Sequence, residues 1–439
     1  MHTDPVEFLE SIAGPLGWFY LIACAMNGLA AIAAWRQGAH WSRPVAWALT
    51  GAAFGILARQ AFSGSPLPMP ESLKGTIDDV LGPITFTLGS FATLLLLYRA
   101  RRFFVRPAVA WAIFNVSLLL MGTSMTDPDF AAIVTKADNV PIVAMVYLLG
   151  FFTWLAGRQA VENDRRLKHG SPPLEKQYDE KVLVWPDLVY IELICMILVM
   201  VVLLVWSLTV KAPLEQPANP VVTPNPSKAP WYFLGLQELL VFSDAWNVGV
   251  VVPCLIILGL MAIPYLDCNR EGGGYYTIDR RRFAYLVFQF GFLQLWVLLI
   301  LIGTFMRGPN WNFFGPYEIQ DPYKVLALTN VKLSDFFWAI LLGQSVPQVP
   351  SGAGTLAELA HILWREIAGV VFLAVYFIAL PPLLARTIFR DLREKMGLGR
   401  YTIMILLLLL MMTIPLKMIL RWTLNISYIV SIPEYLLNF

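Results

Sequence analysis

Apolar residues in this chain gather into long runs, not into the alternation of a strand or the single stripe of a soluble helix. Ten runs approach twenty residues, at roughly 14–35, 44–62, 78–98, 107–124, 140–157, 188–210, 247–266, 284–306, 363–385 and 401–420. A helix of that length crosses about 30 Å of hydrocarbon. The pattern predicts an all-α polytopic membrane protein with about ten transmembrane helices. The connections alternate between basic and basic-poor. Arg36 and Arg43 lie in one loop; Arg99, Arg101, Arg102 and Arg106 in another; Arg158, Arg165, Arg166, Lys168, Lys176 and Lys181 in a third. Arg270, Arg280, Arg281 and Arg282, then Arg386, Arg390, Arg393, Lys395 and Arg400, complete the series. These five loops hold 21 of the 32 Lys and Arg residues, the asymmetry of cytoplasmic loops. Ten crossings with those loops inside place both termini on the outer face.

Two segments depart from this scheme. Residues 326–344 are apolar but carry Asn330, Lys332 and Asp335, costly in hydrocarbon, and read as a surface or re-entrant helix on the outer face. In the last run Lys417 and Arg421 are expected to snorkel to the outer interface. The charged stretch 159–187, with Gly170, Pro172 and Pro173, is the natural linker. It separates a five-helix N-terminal unit (1–158) from a five-helix C-terminal unit (188–439). The opening residues are acidic and lack the basic start of a signal peptide, so the first run reads as a retained helix.

Composition agrees with the membrane reading: 57% hydrophobic residues against 14% charged ones exceed what one soluble core can hide. The net charge of +2 gives no reason to expect a nucleic-acid partner. Cys24, Cys195, Cys254 and Cys268 form no CxxC or CxxCH, so neither a metal site nor covalent haem attachment is expected. His2, His40, His169 and His361 are the only histidines. No two are placed to face each other within the bilayer, and no haem is expected to be bound by this chain alone. The loop "REGGGYYT" (270–277) follows no strand and is no dinucleotide fingerprint.

The chemistry must then lie in polar residues near helix ends. "TPNPSKAPWYFLGLQELLVFSDAW" (223–246) is the richest such stretch. With "WPDLVYIELI" (185–194), "PLEQPANPVVTPNPSKAPWYF" (213–233) and "IPYLD" (263–267), it resembles the C-terminal half of cytochrome b and subunit IV of cytochrome bf complexes. The resemblance covers about 183–306, and the topology inferred from the basic loops agrees with it. The resemblance does not extend to the first 157 residues, which lack the haem-ligand pattern of the family's N-terminal half.

The resemblance implies a quinol-binding subunit of a cytochrome bc-like quinol:cytochrome c oxidoreductase, not catalytic alone. The substrate would be menaquinol or ubiquinol, and the setting a bacterial inner membrane or an equivalent energy-transducing membrane. The implied partners are a haem-bearing subunit equivalent to the N-terminal half of cytochrome b, with a Rieske iron–sulfur protein and/or a c-type cytochrome. Trp231 and Tyr232 match the family's Trp-Tyr, with Phe233 as slot wall, but Pro230 stands where the family carries glutamate. Proline accepts no proton. Glu238 lies seven residues after Trp231, on the same face of a helix and about 10 Å along its axis, and is the expected substitute acceptor, with Asp244 in reserve. The competing readings are an interfacial aromatic belt for Trp231 and Tyr232 and a solvated helix face for Glu238. "RGPNWNFFGPYE" (307–318) reads as a partner interface or belt without a chemical role.

Glu192, one turn into a membrane helix, is costly unless it works or is paired. It is a candidate proton donor at an inner quinone site, with Tyr190 framing the same face; a carboxylate snorkelling to a loop arginine is the alternative. Two further readings of the whole chain stand beside the favoured one. These are a haem-free quinone-binding anchor of a different respiratory complex, and a transporter, against which the uninterrupted apolar runs argue.

Overall fold

The computed structural model describes residues 5–178, 180–210, 217–269, 275–324, 330–350, 352 and 354–439. Among these, nine helices are long and apolar enough to cross a membrane, or ten if one bent pair counts as a single span. The all-α polytopic architecture is as the apolar runs predict.

Helices α1 (Pro5–Arg36) and α2 (Ser42–Phe62) lie closely paired. A Cβ on Gly51 would stand 3.3 Å from the Cys24 carbonyl, so the small residue sets how near the two backbones come. Lipid tails are as apolar as side chains, and close packing and hydrogen bonds must therefore hold such helices together. Helix α3 (Glu71–Val80) ends before Gly82, and α4 (Pro83–Arg99) leaves it at 78°. Pro83 cannot donate to the α3 ladder, so the run predicted at 78–98 starts as a membrane helix only after this corner. Helix α5 (Pro107–Ser124) joins α1 through polar groups: Asn27 donates to Asn115 at 2.6 Å, and the Trp111 indole donates to Asn27 at 3.0 Å. Helix α6 (Val140–Lys168) runs beyond residue 158 into the segment read as linker.

Helix α7 (Val184–Thr209) follows, and none of its residues is buried. The short α8 (Trp231–Leu239) precedes α9 (Asn247–Leu266) and α10 (Arg282–Met306). Helices α11 (Ile367–Arg386) and α12 (Leu398–Leu424) complete the set. Leu239, Phe242, Val248, Leu298, Leu299, Ile302, Met306 and Met418 form one core cluster, where α8, α9, α10 and α12 meet.

The N-terminal helices grip both ends of α10. At the end with basic loops, the Asp164 carboxylate accepts from the Ile278 and Asp279 amides at 3.3 and 3.2 Å. Asp279 in turn pairs with Lys168 at 2.8 Å and Arg101 at 3.3 Å. At the opposite end the Tyr317 hydroxyl lies 2.6 Å from Ser124, its amide donates to Asp78 at 3.1 Å, and its ring stacks on Phe130.

The segment read as a helix over 326–344 is different. Residues 325–329 lie outside the described residues; Val331–Lys332 pairs as a parallel strand with Ile426–Tyr428, and helix covers only Leu333–Asp335 and Phe336–Leu341. A second short helix, Thr355–Arg365, was not foreseen. Lys417 and Arg421 do not snorkel: both are buried. The chain after α12 folds back as a hairpin, Ser431–Ile432 against Leu437–Asn438. The Lys417 ammonium lies 5.5 Å from the Phe439 ring centroid. Arg421 donates to the Asn425 carbonyl and the Asn330 side chain at 3.2 and 2.7 Å. The returning tail thus meets Lys417, and Arg421 is met by the end of its own helix and by the segment around Asn330.

Candidate functional site

The turn before α8 is fastened by its own helix. Gln237 accepts from the Ala229 amide at 2.8 Å and donates to the Ser227 carbonyl at 2.9 Å. Pro230, with extended ψ of 147°, starts the helix. Its missing N–H is no loss at a first turn, where that group has no intrahelical partner. Trp231, Tyr232 and Phe233 therefore emerge together, 40, 49 and 51% exposed, with ring centroids 5.6 and 4.7 Å apart.

Further along, α8 buries Leu234, Gly235, Glu238 and Leu239, a spacing of one, three and one residues that follows a helical stripe. It lies tightly on α10. A Cβ on Gly303 would stand 3.2 Å from the Leu234 carbonyl, and one on Gly235 would stand 3.4 Å from Ile300.

Glu238 is 0% exposed and Arg307, just past α10, is 5% exposed. Arg307 grips the carboxylate with both arms: Nη2 to Oε1 at 2.6 Å and Nε to Oε2 at 2.9 Å. The Trp311 indole donates to Oε2 at 3.2 Å, and Arg307 Nη1 donates to the Trp311 carbonyl at 2.9 Å. Planar two-pronged pairing is the strongest form of this contact. Burial pushes the Glu238 carboxyl up, against the opposing pull of Arg307, Trp311 and Lys228. The loop that supplies Arg307 and Trp311 turns through positive φ at Asn310 (58°) and Trp311 (56°). Asn310 is bonded to Asn225 in both directions, at 2.9 and 2.6 Å. Two segments some 85 residues apart thus form one unit.

Lys228, three residues before Trp231, reaches into the same unit. Its ammonium donates to the Thr304 carbonyl at 2.8 Å. Burial, with Lys136 and Arg307 adding like charge, lowers it to about 8, while Glu238 opposes that. Among the described residues no carboxylate forms an ion pair with it. The Thr304 hydroxyl is buried and bonds to nothing among the described residues.

Residues 217–318 match the family described as cytochrome b (C-terminal)/b6/petD. This segment is a cytochrome b C-terminal domain. It contains α8, its aromatic run, Lys228, Glu238, Arg307 and Trp311. No solved structure matches the chain.

The expected residues are thus only partly gathered. Pro230 precedes α8, and Trp231, Tyr232, Phe233 and Glu238 lie on it, but the three aromatics at its start are exposed while Glu238, two turns on, is buried against Arg307. Asp244 sits beyond α8 and accepts from Asn438 of the C-terminal hairpin at 2.7 Å. Glu192 and Tyr190 are exposed on α7, where Tyr190 faces Trp185 at 6.0 Å between centroids. The described histidines, His40, His169 and His361, are exposed on three separate elements. Sequence reading missed Lys228, Arg307 and Trp311. The available signal was an arginine closing an apolar run, "FMRGPNW", with an acid in the apolar helix "FLGLQELL" to answer it.

Proposed function

We propose that the chain is the quinol-binding membrane subunit of a cytochrome bc-like quinol:cytochrome c oxidoreductase. The single observation that carries this reading is the exposed Trp231–Tyr232–Phe233 run, held on the buried Glu238–Arg307 pair inside the segment that matches cytochrome b. A quinol needs a flat apolar wall and a few polar groups at its oxygens. The three aromatic rings are suited to the first need, and Lys228 with the unbonded Thr304 hydroxyl to the second.

On this reading Glu238 anchors the site by fixing Arg307, and the loop 308–311 with it. Asp244 ties the next helix to the C-terminal hairpin. Glu192 and Tyr190 belong to a separate surface on α7. The described histidines are exposed and scattered, and on this reading the haems belong to a partner resembling the N-terminal half of cytochrome b. A Rieske protein or c-type cytochrome accepts the electrons. The positive-inside pattern supports an orientation with the aromatic run on the outer face and both termini outside.

The test is isolation of the native complex, with redox difference spectra and quinol-dependent cytochrome c reduction. A b-type haem spectrum and quinol-driven reduction are expected; a complex without any b-haem partner refutes the proposal. Trp231→Ala should weaken binding of quinone-site inhibitors by about tenfold or more, as loss of a stacking wall implies, with the amount of assembled complex unchanged. Unaltered inhibitor affinity would remove Trp231 from the site.

A further inference from the structure

We infer that Lys228, and not a carboxylate, receives the first proton of the quinol at the outer site. This rests on the quinol-oxidising reading above and supplies the acceptor that Pro230 denies it.

Three observations converge on Lys228. Glu238, the obvious acid of the stretch, has both oxygens engaged by Arg307 and one also by Trp311. Lys228 is partly buried and donates to a neutral acceptor, the Thr304 carbonyl, at 2.8 Å. Among the described residues no carboxylate touches this ammonium to hold its proton, and Glu238 acts on it only from a distance. The buried Thr304 hydroxyl, on the residue that Lys228 contacts, has no bonding partner among the described residues, a polar group beside Lys228 whose bonding capacity is unused. Counting Glu238, Arg307 and Lys228, the cluster carries one excess positive charge when Lys228 is protonated.

The charged groups that act on the Lys228 ammonium come from three segments: Lys136 from the turn before α6, Glu238 from α8 and Arg307 from the end of α10. Two of the three are cations and favour the neutral amine. Its depressed value of about 8 makes it a far better base than an ordinary lysine near neutral pH. Thr304 still accepts one N–H when the amine is neutral, so the lone pair remains available.

The step is a proton transfer. A hydroquinone O–H bond breaks and a new N–H bond forms at Lys228 Nζ. The substrate keeps the bonding pair and becomes a monoanion, and the positive charge appears on the lysine. The resulting ammonium and Arg307 favour that anion electrostatically. The electrons then pass to one-electron oxidants of the iron–sulfur or haem class in partner subunits. When the site empties, the ammonium returns its proton to solvent.

The test uses the assembled complex and decylubiquinol or a menaquinol analogue, with steady-state rates measured from pH 5.5 to 9.5. In the wild type the quinol-dependent rate should rise with pH to a midpoint near 8. Lys228→Arg keeps the charge and a donor for the Thr304 carbonyl but cannot release a proton. It should lower kcat by about 100-fold, the scale of general-base catalysis, with little change in KM. Lys228→His should retain part of the rate and move the midpoint toward about 6.5. An assembled Lys228→Arg complex with wild-type turnover and pH profile overturns the inference.

Competitive reductive methylation of the wild-type complex, followed by mass spectrometry, provides a measurement independent of any variant. Lys228 should become reactive with a half-point near 8; a half-point at or above that of an ordinary lysine, about 10.4, overturns the inference. A wild-type complex that does not oxidise quinol refutes the proposed function instead.

Discussion

Replacing Arg307 with Met tests whether the buried ion pair organises the candidate site. Glu238 has no exposure to water, and the change removes its bonds of 2.6 and 2.9 Å, as well as the 2.9 Å bond to the Trp311 carbonyl. Of the partners described, only the Trp311 indole at 3.2 Å would still bond the carboxylate. Two charge-assisted bonds at about 1.5–3 kcal/mol each fall in the same range as the ~3–5 kcal/mol lost when one member of a buried pair is removed. Arg307→Met should therefore destabilise the protein by about 3–5 kcal/mol. Replacing Glu238 with Met in the same chain removes the stranded charge, and the double variant should recover to within about 1–2 kcal/mol of wild type. The assay is urea unfolding in detergent followed by tryptophan fluorescence, with all four members of the cycle. The expected coupling is at least about 2 kcal/mol. Single variants that each lose less than about 1 kcal/mol and add within about 0.5 kcal/mol would refute the pairing.

Two other expectations follow from the packing and the tail. Gly303→Val should push α8 from α10, because a Cβ there already stands 3.2 Å from the Leu234 carbonyl. A loss of about 1–3 kcal/mol is expected from overpacking, read from the urea midpoint. Gly259→Ala, where a Cβ meets open space, is the control, and equal behaviour of the two would refute the close contact. Glu434 is held by Arg365 at 2.7 and 2.9 Å, and that hydrogen bonding lowers its carboxyl from 4.5 to about 2. A depressed carboxyl stabilises the fold fully above its unfolded value, and that contribution is lost as pH falls through the folded value. Protection factors of the Ser431 and Phe439 amides should thus fall between pH 5 and pH 2, and Glu434→Gln should flatten that dependence. A wild-type profile unchanged by Glu434→Gln would rule out this pair as the cause.

The sequence by itself determined the class and the crossing segments. Uninterrupted apolar runs leave a helix as the way for one segment to satisfy its backbone inside hydrocarbon, so the helices could be read locally. The corner at Gly82–Pro83 was also written locally, in a proline that cannot donate, though the apolar count ran across it. The aromatic run after Pro230 was legible because its residues are consecutive. Which way each side chain faces was not. Glu238 shares a helical stripe with Trp231, but the packing of α8 on α10 sends the carboxylate inward to Arg307 while the tryptophan stays outside. Lys417 and Arg421 look like snorkelling residues until Phe439 returns over the first and Asn330 bonds the second. In each case at least one partner lies outside the local stretch, as Arg307 does from Glu238. The fate of a charge in a membrane protein is set by what packs beside it, and that is a property of the assembled helices.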